Sequence, residues 1–161
     1  MRVVDVTQWY SPVSGGIRTY LHAKAEWAAA CGRAHGAVVT GRDAGAETVG
    51  RSRFLRVRGV TPSGRWGYRV APRVAPVIAA LERLDPAVVV INDALAFPRA
   101  IARWAARRGT AVAMVCHSDL ALGAAGLPGA LRAPAAGRVA RIAVGAGTKV
   151  DGGALLVVIT E

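Results

Sequence analysis

The chain has 161 residues, enough for one domain to enclose a real core. Hydrophobic residues make up 53% and the net charge is +11, which excludes an intrinsically disordered polyelectrolyte, since such chains lack the apolar content to collapse. All but two of the 21 cationic side chains are arginine, and with abundant Ala, Gly and Val this fits a coding bias towards G and C, so part of the charge is compositional.

Apolar runs such as those at 87–91 and 111–116 fall far short of the roughly 20 residues that span a bilayer. Residues 2–6 read as a strand, followed by a polar, glycine-containing turn over 7–16. Residues 17–31 read as a helix: Ile17, Tyr20, Leu21, Lys24, Ala28 and Cys31 keep helical spacing, and Gly32 suits a terminator. Strands are expected at 35–40, ended by Gly41, and at 53–57. A helix over 70–84 is weakened near its start by Pro72 and Pro76 and closed by Asp85-Pro86. Residues 87–91 form the cleanest strand, a run of the kind buried on both faces of a parallel sheet. A helix over 95–108, with Gly109 after it, leads to another buried strand at 111–115.

Strands alternating with helices in this way imply an α/β fold, a Rossmann-like parallel sheet with helices on both faces. Beyond about Pro128 the charge thins, and 137–144 and 154–159 read as two strands joined through 145–153, a short β-hairpin-like tail. The division falls near residue 130, giving modules at 1–130 and 131–161. No charged segment leads into a long apolar one at the amino terminus, so no secretory signal is expected and the expected location is cytoplasmic. Cys31 and Cys116 lie in different elements without metal-ligand spacing, and with His22, His35 and His117 dispersed they supply no zinc site. Two buried thiols are expected.

Open parallel sheets bind ligands at the carboxyl ends of their strands. The polar residues there are those of the 7–16 turn, Asn92-Asp93, and His117-Ser118-Asp119. In the first turn, Gly15-Gly16 permits close approach of backbone to a ligand, and the helix start behind it presents free N–H groups to an anion. The spacing is neither a dinucleotide fingerprint nor a P-loop, and an ordinary tight turn stands as the alternative. A histidine beside a carboxylate and a hydroxyl can orient a sugar hydroxyl or assist proton transfer, or can serve as a hydrogen-bonded loop residue. A Ser-His-Asp triad is not expected from three sequence neighbours that lack a nucleophile elbow.

The run Asp5-Val6-Thr7-Gln8-Trp9-Tyr10-Ser11-Pro12-Val13-Ser14-Gly15-Gly16-Ile17-Arg18-Thr19-Tyr20 resembles the opening of family 4 glycosyltransferases, in their N-terminal Rossmann-like domain. The resemblance extends through Asn92-Asp93 and Cys116-His117-Ser118-Asp119 and covers about residues 1–130. It implies retaining transfer of a sugar from a nucleotide-sugar donor to an acceptor, lipid-linked in many relatives, with no metal and no cofactor. By that resemblance Gly15, Gly16 and the helix start at Ile17 face donor diphosphate or acceptor, with Tyr10, Arg18, Asn92, Asp93 and Ser118 nearby. His117 matches a histidine beside the transferred sugar, with Asp119 assisting. The family uses a second Rossmann-like domain bearing paired glutamates, whereas the acidic residues after Asp119 are Asp151 and Glu161 alone. The expectation is therefore a half-enzyme that needs a C-terminal catalytic partner.

The tail, from Leu131-Arg132-Ala133-Pro134 through Gly147-Thr148-Lys149-Val150-Asp151-Gly152-Gly153 to Ile159, is similar to the second half of a biotinyl/lipoyl carrier domain. The attachment lysine of that family lies in an earlier hairpin, so Lys149 does not match it and no cofactor attachment is expected. Eight arginines between Arg42 and Arg73, with Trp66 and Tyr68 among them, suit phosphates and stacking in nucleic acid, an anionic membrane surface, or a solvated loop. The glycosyltransferase resemblance favours the inner membrane face over a specific nucleic acid. The competing expectations for function are a non-catalytic membrane- or partner-binding module and a biotin/lipoyl carrier-like protein.

Overall fold

The computed structural model describes residues 1–12, 15–61, 67–93, 95–115, 138–142 and 157–160. In chain order these form β1 (Arg2–Thr7), α1 (Gly16–Ala30), β2 (Ala34–Gly41), β3 (Gly45–Val49), β4 (Ser52–Arg58), α2 (Ala75–Leu84), β5 (Val88–Ile91), α3 (Pro98–Arg108), β6 (Ala111–Met114), β7 (Arg138–Ile142) and β8 (Val157–Thr160). The first six strands make one sheet in the order β3-β4-β2-β1-β5-β6. Five run parallel, and β3 is antiparallel to β4 at one edge. Strands β7 and β8 pair antiparallel as a separate two-stranded sheet, with a register shift between Val139 and Arg141. The α/β, Rossmann-like architecture is as the alternation of elements implies.

Successive side chains of a strand face opposite sides of the sheet, and β1 uses both sides. Val4 and Val6 join Val38, Leu55, Val57, Val89 and Ile91 under α2 and α3, which contribute Val77, Leu81, Leu84, Ile101 and Trp104. The opposite face is packed by α1, whose Leu21 and Ala25 meet Ala37, Val39 and Phe54. Each of the large aliphatic side chains enclosed here stabilises the fold by about 1.5–3 kcal/mol relative to exposure. Among the described residues, helices therefore lie on both faces. None of these helices is long and apolar enough to cross a membrane.

Gly32 ends α1 in a left-handed conformation (φ +62°), with Arg33 N–H donating to the Ala28 carbonyl at 2.7 Å. Gly109 closes α3 in the same way (φ +66°), with Thr110 N–H donating to the Ala105 carbonyl at 3.0 Å.

Several expectations are corrected. The helix expected from residue 70 starts at Ala75, because Val70 exchanges backbone hydrogen bonds with Val60 at 2.8 and 2.9 Å. Pro76 then occupies the first turn, where a missing N–H costs nothing. The helix expected from residue 95 starts at Pro98, because the Leu95 N–H is held by the Asp93 side chain. Strand β3 has no counterpart in the sequence reading, since its one strongly apolar side chain is Val49. Strand β6 is an edge with Ala111 and Ala113 exposed, not a buried strand. Cys31 caps α1 and is exposed, against the expected buried thiol, and Cys116 lies outside the described residues.

Candidate functional site at the carboxyl ends of the strands

The sheet changes direction of progression at β1, which has β2 on one side and β5 on the other. Loops leaving β1 and β5 diverge there, which makes this junction the expected ligand crevice of a doubly wound sheet. Its floor is closed by Asp93. One carboxylate oxygen accepts the Thr7 hydroxyl and the Gln8 N–H, both at 2.8 Å, and the other accepts the Leu95 N–H at 3.0 Å. Burial pushes the Asp93 carboxyl up, and these hydrogen bonds offset the rise only in part.

Gln8, also buried, ties a third segment to the same floor. Its side-chain oxygen accepts the Ala71 N–H at 2.6 Å, its amide nitrogen donates to the Leu95 carbonyl, and its own carbonyl accepts the Thr40 hydroxyl at 3.1 Å. The loop after β1 also rests on residues 67–68. The Ser11 hydroxyl donates to the Gly67 carbonyl at 3.0 Å, and the Trp9 and Tyr68 rings meet edge to face at 5.2 Å.

Gly15 and Gly16 stand above this floor at the start of α1. Gly15 has φ −72° and offers no side chain to cap the helix, and the first turn holds no acidic residue. Among the described residues, nothing lies within 4 Å of a Cβ built on either glycine. The other described glycines differ. Gly32, Gly50, Gly67 and Gly109 have positive φ. Gly36, Gly41, Gly45 and Gly59 have neighbours at 2.9–3.1 Å from such a Cβ. Among the described residues, the diglycine thus combines an ordinary φ with open space where a Cβ would sit, whereas Gly41 and Gly45 would bring a Cβ against the Arg56 side chain.

Two polar clusters flank the floor. In the first, the Tyr10 hydroxyl donates to Glu47 Oε1 at 3.0 Å and lies 3.1 Å from His22 Nε2, and Arg56 donates to Glu47 Oε2 at 2.9 Å. The Tyr10 ring stacks on His22 and meets the buried Phe54 edge on. Burial, then the hydrogen bond and charge of Glu47, raise the Tyr10 pKa despite Arg18 nearby, so the phenol keeps its proton.

Deeper in the sheet, under α1, Asp5 accepts from Lys24 Nζ and Asn92 Nδ2 at 2.9 Å and from His35 Nε2 at 2.8 Å. His35 Nδ1 is 2.9 Å from Ser52 Oγ. Burial alone raises the Asp5 pKa, but the hydrogen bonds from His35, Lys24 and Asn92 and the Lys24 charge outweigh it, leaving the carboxyl below its ordinary value. Ser52, His35 and Asp5 carry the atoms of a hydrolytic triad, yet their residues are 2%, 7% and 0% exposed. A substrate has no access to that serine, so the chain of hydrogen bonds is internal structure.

Of the residues singled out from sequence, Gly15, Gly16 and Arg18 are exposed, and Arg18 donates to the Pro12 carbonyl at 3.3 Å. Ile17 packs against the α1-side core. Tyr10 is held in the Glu47 cluster, while Asn92 and Asp93 are buried with their side chains engaged inside the protein. Asn92 also donates to the Val90 carbonyl at 3.3 Å. His117, Ser118 and Asp119 lie outside the described residues. Sequence reasoning placed Thr7 and Gln8 at the strand end only as part of the 7–16 turn, and it missed Lys24, His35 and Glu47. Period-two counting along β1 could have flagged Asp5 and Thr7 as facing α1, but nothing local marks their partners.

Of the arginines between 42 and 73, Arg53 and Arg56 do not share one face of the sheet. Arg56 is paired with Glu47, and Arg69 donates to the Gly59 carbonyl at 3.2 Å. Arg65 and Trp66 lie outside the described residues. No group of three or more His, Cys, Asp or Glu side chains among the described residues is arranged to hold a metal ion. Neither a family model nor a curated protein sequence matches the chain.

Proposed function

We propose that residues 1–130 are the N-terminal Rossmann-like domain of a family 4-type glycosyltransferase, serving retaining transfer of a sugar from a nucleotide-sugar donor to an acceptor. The observation that carries this reading is the diglycine: two glycines at the first helix start, beside the crevice at the strand switch point, which the protein's own packing does not require. A diphosphate would approach the backbone N–H groups of Gly15 and Gly16 where a methyl group would intrude. The residues tied to Asp93 support the loops from below. His117 and Asp119 would act beside the transferred sugar, as the sequence resemblance implies. A second domain would supply the remaining donor contacts, and the acceptor could be presented at an anionic membrane surface.

Titration calorimetry of the protein with inorganic pyrophosphate and with a panel of nucleotide-diphosphate sugars tests this. Gly15→Ala and Gly16→Ala should leave the fold intact or stabilise it by up to about 1 kcal/mol, because open space receives the methyl group and chain entropy falls. The same substitutions should weaken binding at least about tenfold. Wild-type protein that binds none of these compounds, or alanine variants that bind as well as wild type, would reject the reading.

A further inference from the structure

We infer that the outer face of α3 is a docking surface for the phosphate backbone of double-stranded nucleic acid, held through Arg99, Arg103 and Arg107 without regard to base sequence. Helix α3 lies on the opposite face of the sheet from α1, so this surface is independent of the diglycine and of the glycosyltransferase reading.

Arg99, Arg103 and Arg107 are all exposed and follow one another at intervals of four residues. Four residues advance a helix by about 6 Å, so the three guanidinium groups leave one side of α3 along a line of about 12 Å. The other side of the helix buries Ile101, Ala102, Trp104 and Ala105 in the core. Two carboxylates stand near this helix, at the carboxyl end of α2, and both are engaged elsewhere. Glu82 accepts Trp104 Nε1–H at 3.4 Å, and Asp85 pairs with Arg108 at 3.0 Å. Among the described residues, Arg99, Arg103 and Arg107 have no ion-pair partner.

The fold does not call for this pattern. Amphipathicity requires polar side chains on the outer face of a helix, not side chains of a single sign. Like charges four residues apart repel, and Arg99 stands in the first turn, where the helix dipole favours an acid and none is present. The other two helices of the sheet domain are mixed: α1 exposes Arg18 and Glu26, and α2 exposes Glu82 and Arg83. Unneutralised arginines along one helix, in a chain of net charge +11, are the electrostatic footprint of a polyanion. Guanidinium forks match phosphate oxygens two at a time.

The remaining side chains of α3 decide which polyanion fits. Helices that lie in a bilayer surface sink large apolar side chains into it, but the large apolar side chains of α3, Ile101 and Trp104, are committed to the core. The exposed residues of α3 other than arginine amount to Ala106. Open single strands are held by stacking on aromatic rings, which this face does not present. What is left is contact with the regularly spaced phosphates of a duplex, which carries no base information.

The test is a salt titration of the full chain against two short labelled DNA duplexes of unrelated sequence, read by fluorescence anisotropy. The triple variant R99Q/R103Q/R107Q should bind at least about tenfold more weakly at low salt, and its slope of log affinity against log salt should be shallower by about 3. Its urea midpoint should be no lower than that of wild type, because Gln is nearly as good a helix former as Arg and the like-charge repulsion is gone. The control R33Q/R51Q/R53Q removes the same charge from exposed positions outside α3, and should keep affinity within about threefold and the slope within about 1 of wild type. Equal losses in the two triple variants would assign binding to net charge and overturn the inference. Failure of wild type to bind either duplex at low salt would also overturn it, as would a preference of more than about tenfold for one duplex. Salt-sensitive sedimentation with phosphatidylglycerol vesicles that R99Q/R103Q/R107Q abolishes, while duplex binding is unaffected, would give the stripe to a bilayer instead.

Discussion

Asp5 and the diglycine, ten residues apart in one βα unit, use polar groups in opposite ways. Asp5 sits inside the sheet and receives three donors, from α1, β2 and the end of β5, so the protein itself satisfies the carboxylate. At Gly15 and Gly16 no described residue approaches within 4 Å of where a side chain would begin, and Gly15 itself offers no capping side chain. Asp93 belongs with the first: its carboxylate is consumed by Thr7, Gln8 and Leu95. Polar groups at the ends of parallel strands thus divide into those that shape the crevice and those left facing it. Only the second kind is free for a ligand.

The largest effect should come from breaking the interior cluster. Asp5→Asn presents an amide N–H₂ to a ring of donors and removes the counter-charge of Lys24, at a cost of about 3 kcal/mol in urea unfolding. Its pH dependence is specific. The folded Asp5 carboxyl titrates below the 3.8 of an unfolded chain, so its contribution is present above that pH and lost as acid protonates it in the fold. The deficit of Asp5→Asn relative to wild type should therefore shrink as the pH falls below about 4. A deficit independent of pH would show that Asp5 acts through packing alone.

Asp93 sharpens the comparison because its pH dependence has the other sign. Asp93→Ala strands the Gln8 and Leu95 N–H groups and should cost about 2 kcal/mol, less than Asp5→Asn because it also removes a charge that burial disfavours. The folded Asp93 carboxyl titrates above 3.8, so its contribution is full below that pH and declines as the pH rises through its folded pKa. The deficit of Asp93→Ala should grow on acidification, where that of Asp5→Asn shrinks. Parallel slopes for the two variants would contradict the assignment of opposite shifts.

How much of this was legible follows from distance along the chain. Strands β1, β2 and β5, helix α1 and the glycine terminators Gly32 and Gly109 are written in local patterns, and the sheet follows from their alternation. The diglycine was visible for the same reason, as a short motif between a strand and a helix. The Asp5 cluster was not, because Lys24, His35 and Asn92 lie 19, 30 and 87 positions away and no period connects them. Asn92 and Asp93 were noticed for their place at a strand end, but place does not say which way a side chain is spent. Glu47 escaped because β3 carries little hydrophobic alternation and joins the sheet only by pairing with β4.

Cys31 gives the smallest expected effect and tests where the interior of this βα unit stops. Helical spacing carries the buried stripe of α1 through Leu21, Ala25 and Ala28 to Cys31, three positions on. The left-handed turn at Gly32 interrupts that stripe: the cap N–H groups fold back onto Trp27, Ala28 and Ala29, and the thiol is left in solvent beyond the last turn. Cys31→Ser should then change stability by less than about 0.5 kcal/mol, as at other exposed positions without a special role. A thiol reagent should modify Cys31 in the folded protein at close to the rate seen in urea. Protection of that thiol under native conditions would mean that the α1 side of the sheet is covered further than the helix reaches, and that the boundary between satisfied interior and open rim lies beyond Gly32.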